Sequence, residues 1–152
     1  MLKYPMKLII IIFVLGYLHA PNDNTRNLID RELELYENIC KAIPIVESDN
    51  MHTNKYGRVT LSYKGAVGRW QVMPNTFIWI INKSGCSSLE ASDITNEYIN
   101  RWAGRWYINY LYYQRHRQDW KKAISSYNNG PDSRKFMWDY FNKVTNEIAK
   151  AH

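Results

Sequence analysis

Apolar residues return at three- and four-residue steps through most of this chain, and that periodicity limits what it can fold into. Leu28, Tyr36, Ile39, Cys40, Ile43 and Val46 follow it. So do Tyr98, Ile99, Trp102, Ala103, Trp106, Tyr110 and Tyr113, and then Phe136, Met137, Tyr140, Phe141, Val144 and Ile148. A 3.6-residue repeat gathers each set onto one stripe of an α-helix. The expectation is a mostly α protein. With 152 residues and no internal repeat, it forms one domain.

Punctuation residues set provisional boundaries. Residues 21–24 read as a polar linker ahead of the first helix. Pro44 falls inside that helix and lacks the donor an interior position needs, which predicts a kink or a fresh start near 41–44. Residues 49–64 are polar and include Gly57, consistent with a loop holding a short irregular hairpin. Pro74-Asn75-Thr76 opens a helix to about Lys83, with Asn75 as cap and Gly85 as stop. Ser92-Asp93 opens the next helix, to about Arg117, and Gly104 in its middle signals another element packed close by. Asp119 caps a helix ending near Tyr127, and Ser133 caps the last one.

The N-terminus has a different character. Lys3 and Lys7 precede an apolar run over 8–18, and no acidic residue occurs before Asp23. That is the pattern of an export signal, and the run is short for a membrane span of ~20 residues. Leu18 and Pro21 are unfavourable around a cleavage point after Ala20, so 1–20 is either a cleaved signal peptide or a retained signal anchor. The folded domain is expected over 25–152. A net charge of +6 suggests an anionic partner: nucleic acid, anionic lipid or bacterial wall. Cys40 and Cys86 would pair in an exported protein if their Cα atoms come close, and otherwise serve as small buried residues.

One acidic residue stands out. Glu47 lies four residues after Ile43, seven after Cys40 and eleven after Tyr36, close to the apolar stripe of its helix. On the core side, burial would raise its pKa and let it hold a proton near neutral pH, as a general acid must. Turned outward, it would be an ordinary helix-end carboxylate or a lysine's partner. The helix alone leaves both open.

Three segments change that balance. Glu47-Ser48 is followed by Ser62-Tyr63-Lys64-Gly65-Ala66-Val67-Gly68-Arg69-Trp70-Gln71-Val72-Met73-Pro74, and later by Ala123-Ile124-Ser125-Ser126-Tyr127-Asn128-Asn129-Gly130. In this order and spacing they resemble the lytic transglycosylase and goose-type lysozyme group, which cleaves the glycan strands of peptidoglycan. Asn100, Gly104, Tyr107 and Ile108 also fit the group's spacing and are expected to be structural. The resemblance spans about 39–144.

It implies a lysozyme-like helical domain with a short irregular or β-hairpin segment after the catalytic helix. It also implies that Glu47 is the catalytic residue and that Ser48, Ser62, Gln71, Met73, Tyr127 and Asn128 bind substrate or support it. The Tyr127 hydroxyl is expected beside the catalytic carboxyl. Chemistry agrees with these roles: glycines let backbone approach a sugar, and the Gln71 amide both donates and accepts. Trp70 and Met73 offer apolar surface either to a sugar face or to the core. The chain departs from the group's pattern at Arg69-Trp70, at Asn129, and in the polar run over 52–60.

Most glycosidases use two carboxylates, but Asp49, Asp93, Asp119 and Asp132 sit at turn or cap positions. The group's scheme needs one: the same glutamate acts as acid and then as base, and the product ends in 1,6-anhydromuramic acid. A hydrolytic muramidase on the same residues and a non-catalytic wall-binding module are the alternatives. His19, His52, His116 and His152 lack zinc-site spacing, and no cofactor is expected. Nucleic acid is disfavoured, because the aromatics near Arg115-His116-Arg117 fall on a helical face rather than outside it. The expected partner is the glycan strand, with the membrane reached only through the N-terminal segment. The expected setting is exported: periplasm, cell envelope or virion. Small members of the group serve a secretion or conjugation apparatus or a phage particle.

Overall fold

A computed structural model describes residues 23–150. The expected signal segment lies outside them. Five α-helices follow in order: α1 (Asp23–Ser48), α2 (Pro74–Ser84), α3 (Glu97–Tyr110), α4 (Trp120–Asn129) and α5 (Trp138–Lys150). A short 3₁₀ turn, Ala91–Thr95, precedes α3, and one π-helical turn, Leu111–Arg115, extends it. Among the described residues there is no regular strand. The 49–73 segment is an irregular ribbon with isolated bridges pairing Thr53 with Val59 and Val67 with both Leu61 and Val72. No described helix is long and apolar enough to cross a membrane.

α1 begins at Asp23, so the linker expected over 21–24 does not reach Asn24. It also runs through Pro44 without restarting. Pro44 cannot donate to the preceding turn, but it lies in the packed face between Ile43 and the end of the helix. Its carbonyl accepts from the Asn50 N–H (3.0 Å), with the Ser48 hydroxyl oxygen 3.1 Å away. Asp49 and Asn50 then turn left-handed (φ 50° and 60°), a conformation short polar side chains tolerate, and they close the helix two residues after Glu47.

Several caps differ from expectation. α2 starts with Pro74 in its first position and Met73 before it, so Asn75 is not the cap. Gly85 ends it in the left-handed conformation (φ 73°), as expected. The helix expected from Ser92 is two elements. Asp93 accepts from Glu90 N–H in the 3₁₀ turn, and Asn96 caps α3 through Tyr98 N–H and Ile99 N–H (3.0 and 3.2 Å). Asp119 caps α4 through Lys122 N–H. Ser133 instead organises the α4–α5 loop, where its hydroxyl oxygen accepts from Asn129 Nδ2 and Lys135 N–H. Phe136 and Met137 therefore precede α5.

The core gathers Ile39 and Ile43 of α1, Phe77 and Ile80 of α2, Ala103 and Ile108 of α3, Ile124 of α4 and Val144 of α5 around the indole of Trp70. Its α3 face is rotated from the expected one. Tyr98 is 82% exposed, whereas Asn100, Gly104 and Tyr107 are buried. Cys40 is buried, Cys86 is half-buried, and the two thiols are free.

Candidate active site

Glu47 occupies the last turn of α1, on the side where α1 packs against α5. Its carboxyl is half-buried, and burial raises its pKa from the usual carboxylate range to about 7. One bond works against that rise: the Tyr140 hydroxyl donates to Glu47 Oε1 at 2.7 Å. No neighbouring charge contributes. A carboxyl held this way exchanges a proton near neutrality, which suits an acid that must later act as a base.

In the sequence Tyr140 is one of the apolar positions of the final helix, 93 residues from Glu47. Helical spacing could place its ring in the core. It could not show that the hydroxyl ends on the carboxyl. Replacing Tyr140 with Phe is expected to leave the fold intact and remove the bond that favours the charged carboxylate. The Glu47 pKa then rises above about 7. The pH at which activity declines on the alkaline side should move up by roughly one unit, the size of a charge-assisted bond of ~1.5 kcal/mol. An unmoved pH profile would mean that this hydroxyl does not tune the acid.

Tyr127 is also buried beside this site. Burial and, next, the negative charge of Glu47 push its hydroxyl well above the ordinary tyrosine value. Its hydrogen bond, however, goes to the Trp70 carbonyl at 2.9 Å. The hydroxyl expected on the catalytic carboxyl is thus supplied by Tyr140, while Tyr127 fixes the backbone opposite.

That backbone is the glycine-containing segment, and it is clamped from several directions. Ser48 Oγ donates to Arg69 O at 2.7 Å, tying the end of α1 to it. The buried Asn100 side chain accepts from Trp70 N–H (3.0 Å) and donates to Val67 O (2.9 Å). His52 is buried too. Its Nδ1 accepts from Arg69 N–H (3.3 Å), so the ring proton belongs on Nε2, which faces Thr95 O at 2.9 Å. Gly68 (φ 71°) sits between these two side chains, where a Cβ would lie 2.8 Å from each. Gln71 is left-handed as well (φ 46°) and donates from Nε2 to Gly68 O at 2.7 Å. Ser62 Oγ accepts from Ala66 N–H at 2.9 Å and closes the preceding turn.

The expected site residues therefore separate by environment. Glu47, Ser48, Gln71 and Tyr127 converge on the junction of α1, the glycine segment and α4. Ser62 shapes a turn. Met73 and Asn128 are exposed, at the start of α2 and the end of α4. Trp70 is only 2% exposed and belongs to the core. Sequence reasoning missed Tyr140 and the clamping role of His52. A buried histidine in a polar stretch has no periodic signature.

Three of the four carboxylates weighed as partners are engaged elsewhere. Asp93 and Asp119 cap helices, and Asp132 pairs with Arg115 at 2.7 Å. Asp49 is exposed in its left-handed turn.

The sequence model of the family described as Transglycosylase SLT domain matches residues 29–148. Among curated proteins, none matches the chain.

Proposed function

The chain belongs to the transglycosylase SLT family, whose members are lytic transglycosylases acting on peptidoglycan, and on that premise we propose how it cuts its substrate. The bond is the β-1,4 link between N-acetylmuramic acid and N-acetylglucosamine, and Glu47 is the acting group. Protonated Glu47 gives its proton to the glycosidic oxygen, and the C1–O bond breaks. The substrate's own N-acetyl group stabilises the positive charge developing at C1. The Glu47 carboxylate then takes the proton of the muramyl 6-hydroxyl as that oxygen closes onto C1. Glu47 ends as it began, no water is consumed, and the product carries a 1,6-anhydro ring.

The observation that carries this reading is a single carboxyl with a pKa of about 7, bonded to one tyrosine, with Asp93, Asp119 and Asp132 engaged elsewhere and Asp49 exposed in its turn. A two-carboxylate hydrolase would have its second acid across the cleft. Ser48, Gln71 and Tyr127 support the reaction by holding the glycine segment against the end of α1. Met73 and Asn128 are exposed and available to the glycan. Because the substrate is a wall polymer, the enzyme acts outside the cytoplasm, in the periplasm or cell envelope, after export by its N-terminal segment.

Digestion of purified peptidoglycan, with the fragments weighed by mass spectrometry, tests the product. The expected ends are 1,6-anhydromuramic acid, one water lighter than reducing ends. Reducing ends would instead identify a hydrolytic muramidase on the same residues. Wall binding without any fragment would identify a binding module.

A further inference from the structure

The positive charge of this protein is unevenly placed. Residues 50–89 contain five Lys or Arg and no Asp or Glu, against a net +6 for the whole chain. Arg69 is paired with Glu97 (2.7 Å), and Lys83 lies in the last turn of α2. The other three, Lys55, Arg58 and Lys64, are exposed on the ribbon that follows Glu47, and none of them is in a salt bridge among the described residues.

The ribbon holds these charges on two ordered tips. In the first, Asn54 Oδ1 accepts from Tyr56 N–H (2.9 Å) and Arg58 N–H (3.1 Å), while Asn54 N–H donates to Arg58 O (2.8 Å). In the second, Ser62 N–H donates to Ala66 O (2.9 Å), Ser62 O accepts from Gly65 N–H (3.0 Å), and the Ser62 hydroxyl oxygen accepts from Ala66 N–H (2.9 Å). Each tip carries an ammonium over an exposed ring: Lys55 with Tyr56 (5.0 Å) and Lys64 with Tyr63 (5.4 Å). Tyr56 is 73% and Tyr63 is 93% exposed, so core packing does not account for either ring. Residues 59–61 join the tips, a stretch of about 10 Å. His52 and Asn100 anchor the ribbon to the 3₁₀ turn and α3, so the tips stand on a fixed base.

We propose that the two tips bind the carboxylate-bearing peptide stems of peptidoglycan, through Lys55, Arg58 and Lys64, with Tyr56 and Tyr63 as apolar contacts beside them. The inference rests on the peptidoglycan reading above and extends it from the glycan to the peptide. Neutral sugar rings need no cations, whereas the stems carry free carboxylates at every unsubstituted acidic side chain and terminus. Ordered, unpaired cations beside exposed rings suit that mixed polar and apolar target better than the glycan itself.

The test uses the full chain with Glu47→Gln, so that the wall is bound without being cut. Binding to intact sacculi is compared with binding to glycan strands stripped of stems by an amidase, their freed lactyl carboxylates then capped as methylamides so that the stripped strands are neutral. A triple variant, Lys55→Gln, Arg58→Gln and Lys64→Gln, is measured on both. Three exposed contacts worth a few-fold each predict about tenfold weaker binding to intact sacculi, equal binding to stripped strands, and a loss that disappears at high salt. An unchanged melting temperature shows that the fold is kept. Equal binding of the triple variant to sacculi would overturn the proposal, as would the same loss on stripped strands. A loss seen only on anionic lipid vesicles would also overturn it and point to the membrane. If the unsubstituted chain neither lyses nor binds sacculi, the peptidoglycan reading itself fails.

Discussion

Glu47→Gln should lower the rate of glycan cleavage by about a thousandfold or more while leaving wall binding in place. General acid catalysis alone is worth roughly 10²–10⁴, and in the proposed mechanism one group serves both proton transfers. The amide cannot give a proton to the glycosidic oxygen or take one from the 6-hydroxyl. Residual cleavage near the parent rate would remove Glu47 from the mechanism. The same substitution has a second consequence, because a folded-state pKa of about 7 lies above the unfolded carboxylate value of 4.5. The folded protein holds this proton more tightly, so stability falls as pH rises from about 4.5 to about 7 and is level beyond. That cost is of order 3 kcal/mol, and the amide does not incur it. Glu47→Gln should therefore melt higher than the parent at pH 8 and close to it at pH 4. A variant that loses activity without gaining stability at pH 8 would mean that the carboxyl is better solvated than its surroundings indicate.

The second large effect is structural. Gly104→Ala should cost about 3 kcal/mol of stability, at the upper end of overpacking effects, despite the ~1 kcal/mol that alanine gains over glycine in a helix interior. A Cβ at position 104 would lie 2.3–2.6 Å from Cε3, Cδ2 and Cγ of Trp70, against the body of the indole. Trp70 cannot retreat, since its N–H is held by Asn100 and its carbonyl by Tyr127. If it shifts, Gln71 and the Tyr127 hydroxyl move with it, so activity should fall along with stability. Denaturant midpoints measure the effect. Adding Trp70→Phe should recover part of the loss, because the smaller ring leaves room for the methyl group. A Gly104→Ala protein as stable as the parent would show that the helix and the glycine segment are not in contact.

The helices were legible because burial imposes a 3.6-residue rhythm, and long stretches of chain obey it. Their faces were less so. With 12 Tyr, 6 Trp and 4 Phe, aromatic residues dominate the periodic sets, and tyrosine is content either buried or exposed. Tyr98 therefore looked like core and lies outside, while Asn100, expected to be structural only from the resemblance, is fully buried. The caps failed for a related reason. Asn75 and Ser133 are good cap residues by type, but capping depends on where the chain enters the helix, and Pro74 and the α4–α5 loop decided that.

Sequence by itself determined the helical class and the need for close approach at Gly104, and its resemblance to the group marked Glu47 as the candidate acid. The first two rest on local chemistry: a repeat length and a missing Cβ. Tertiary structure decided which hydroxyl meets the acid. Tyr127 and Tyr140 are both buried tyrosines close to Glu47, and nothing in their local sequence ranks them. The packing of α5 on α1 brings Tyr140 to the carboxyl, while the Tyr127 hydroxyl of α4 donates to the Trp70 carbonyl. A hydrogen bond between residues 93 apart depends on how two helices cross, and that angle is set by the whole core rather than by either residue.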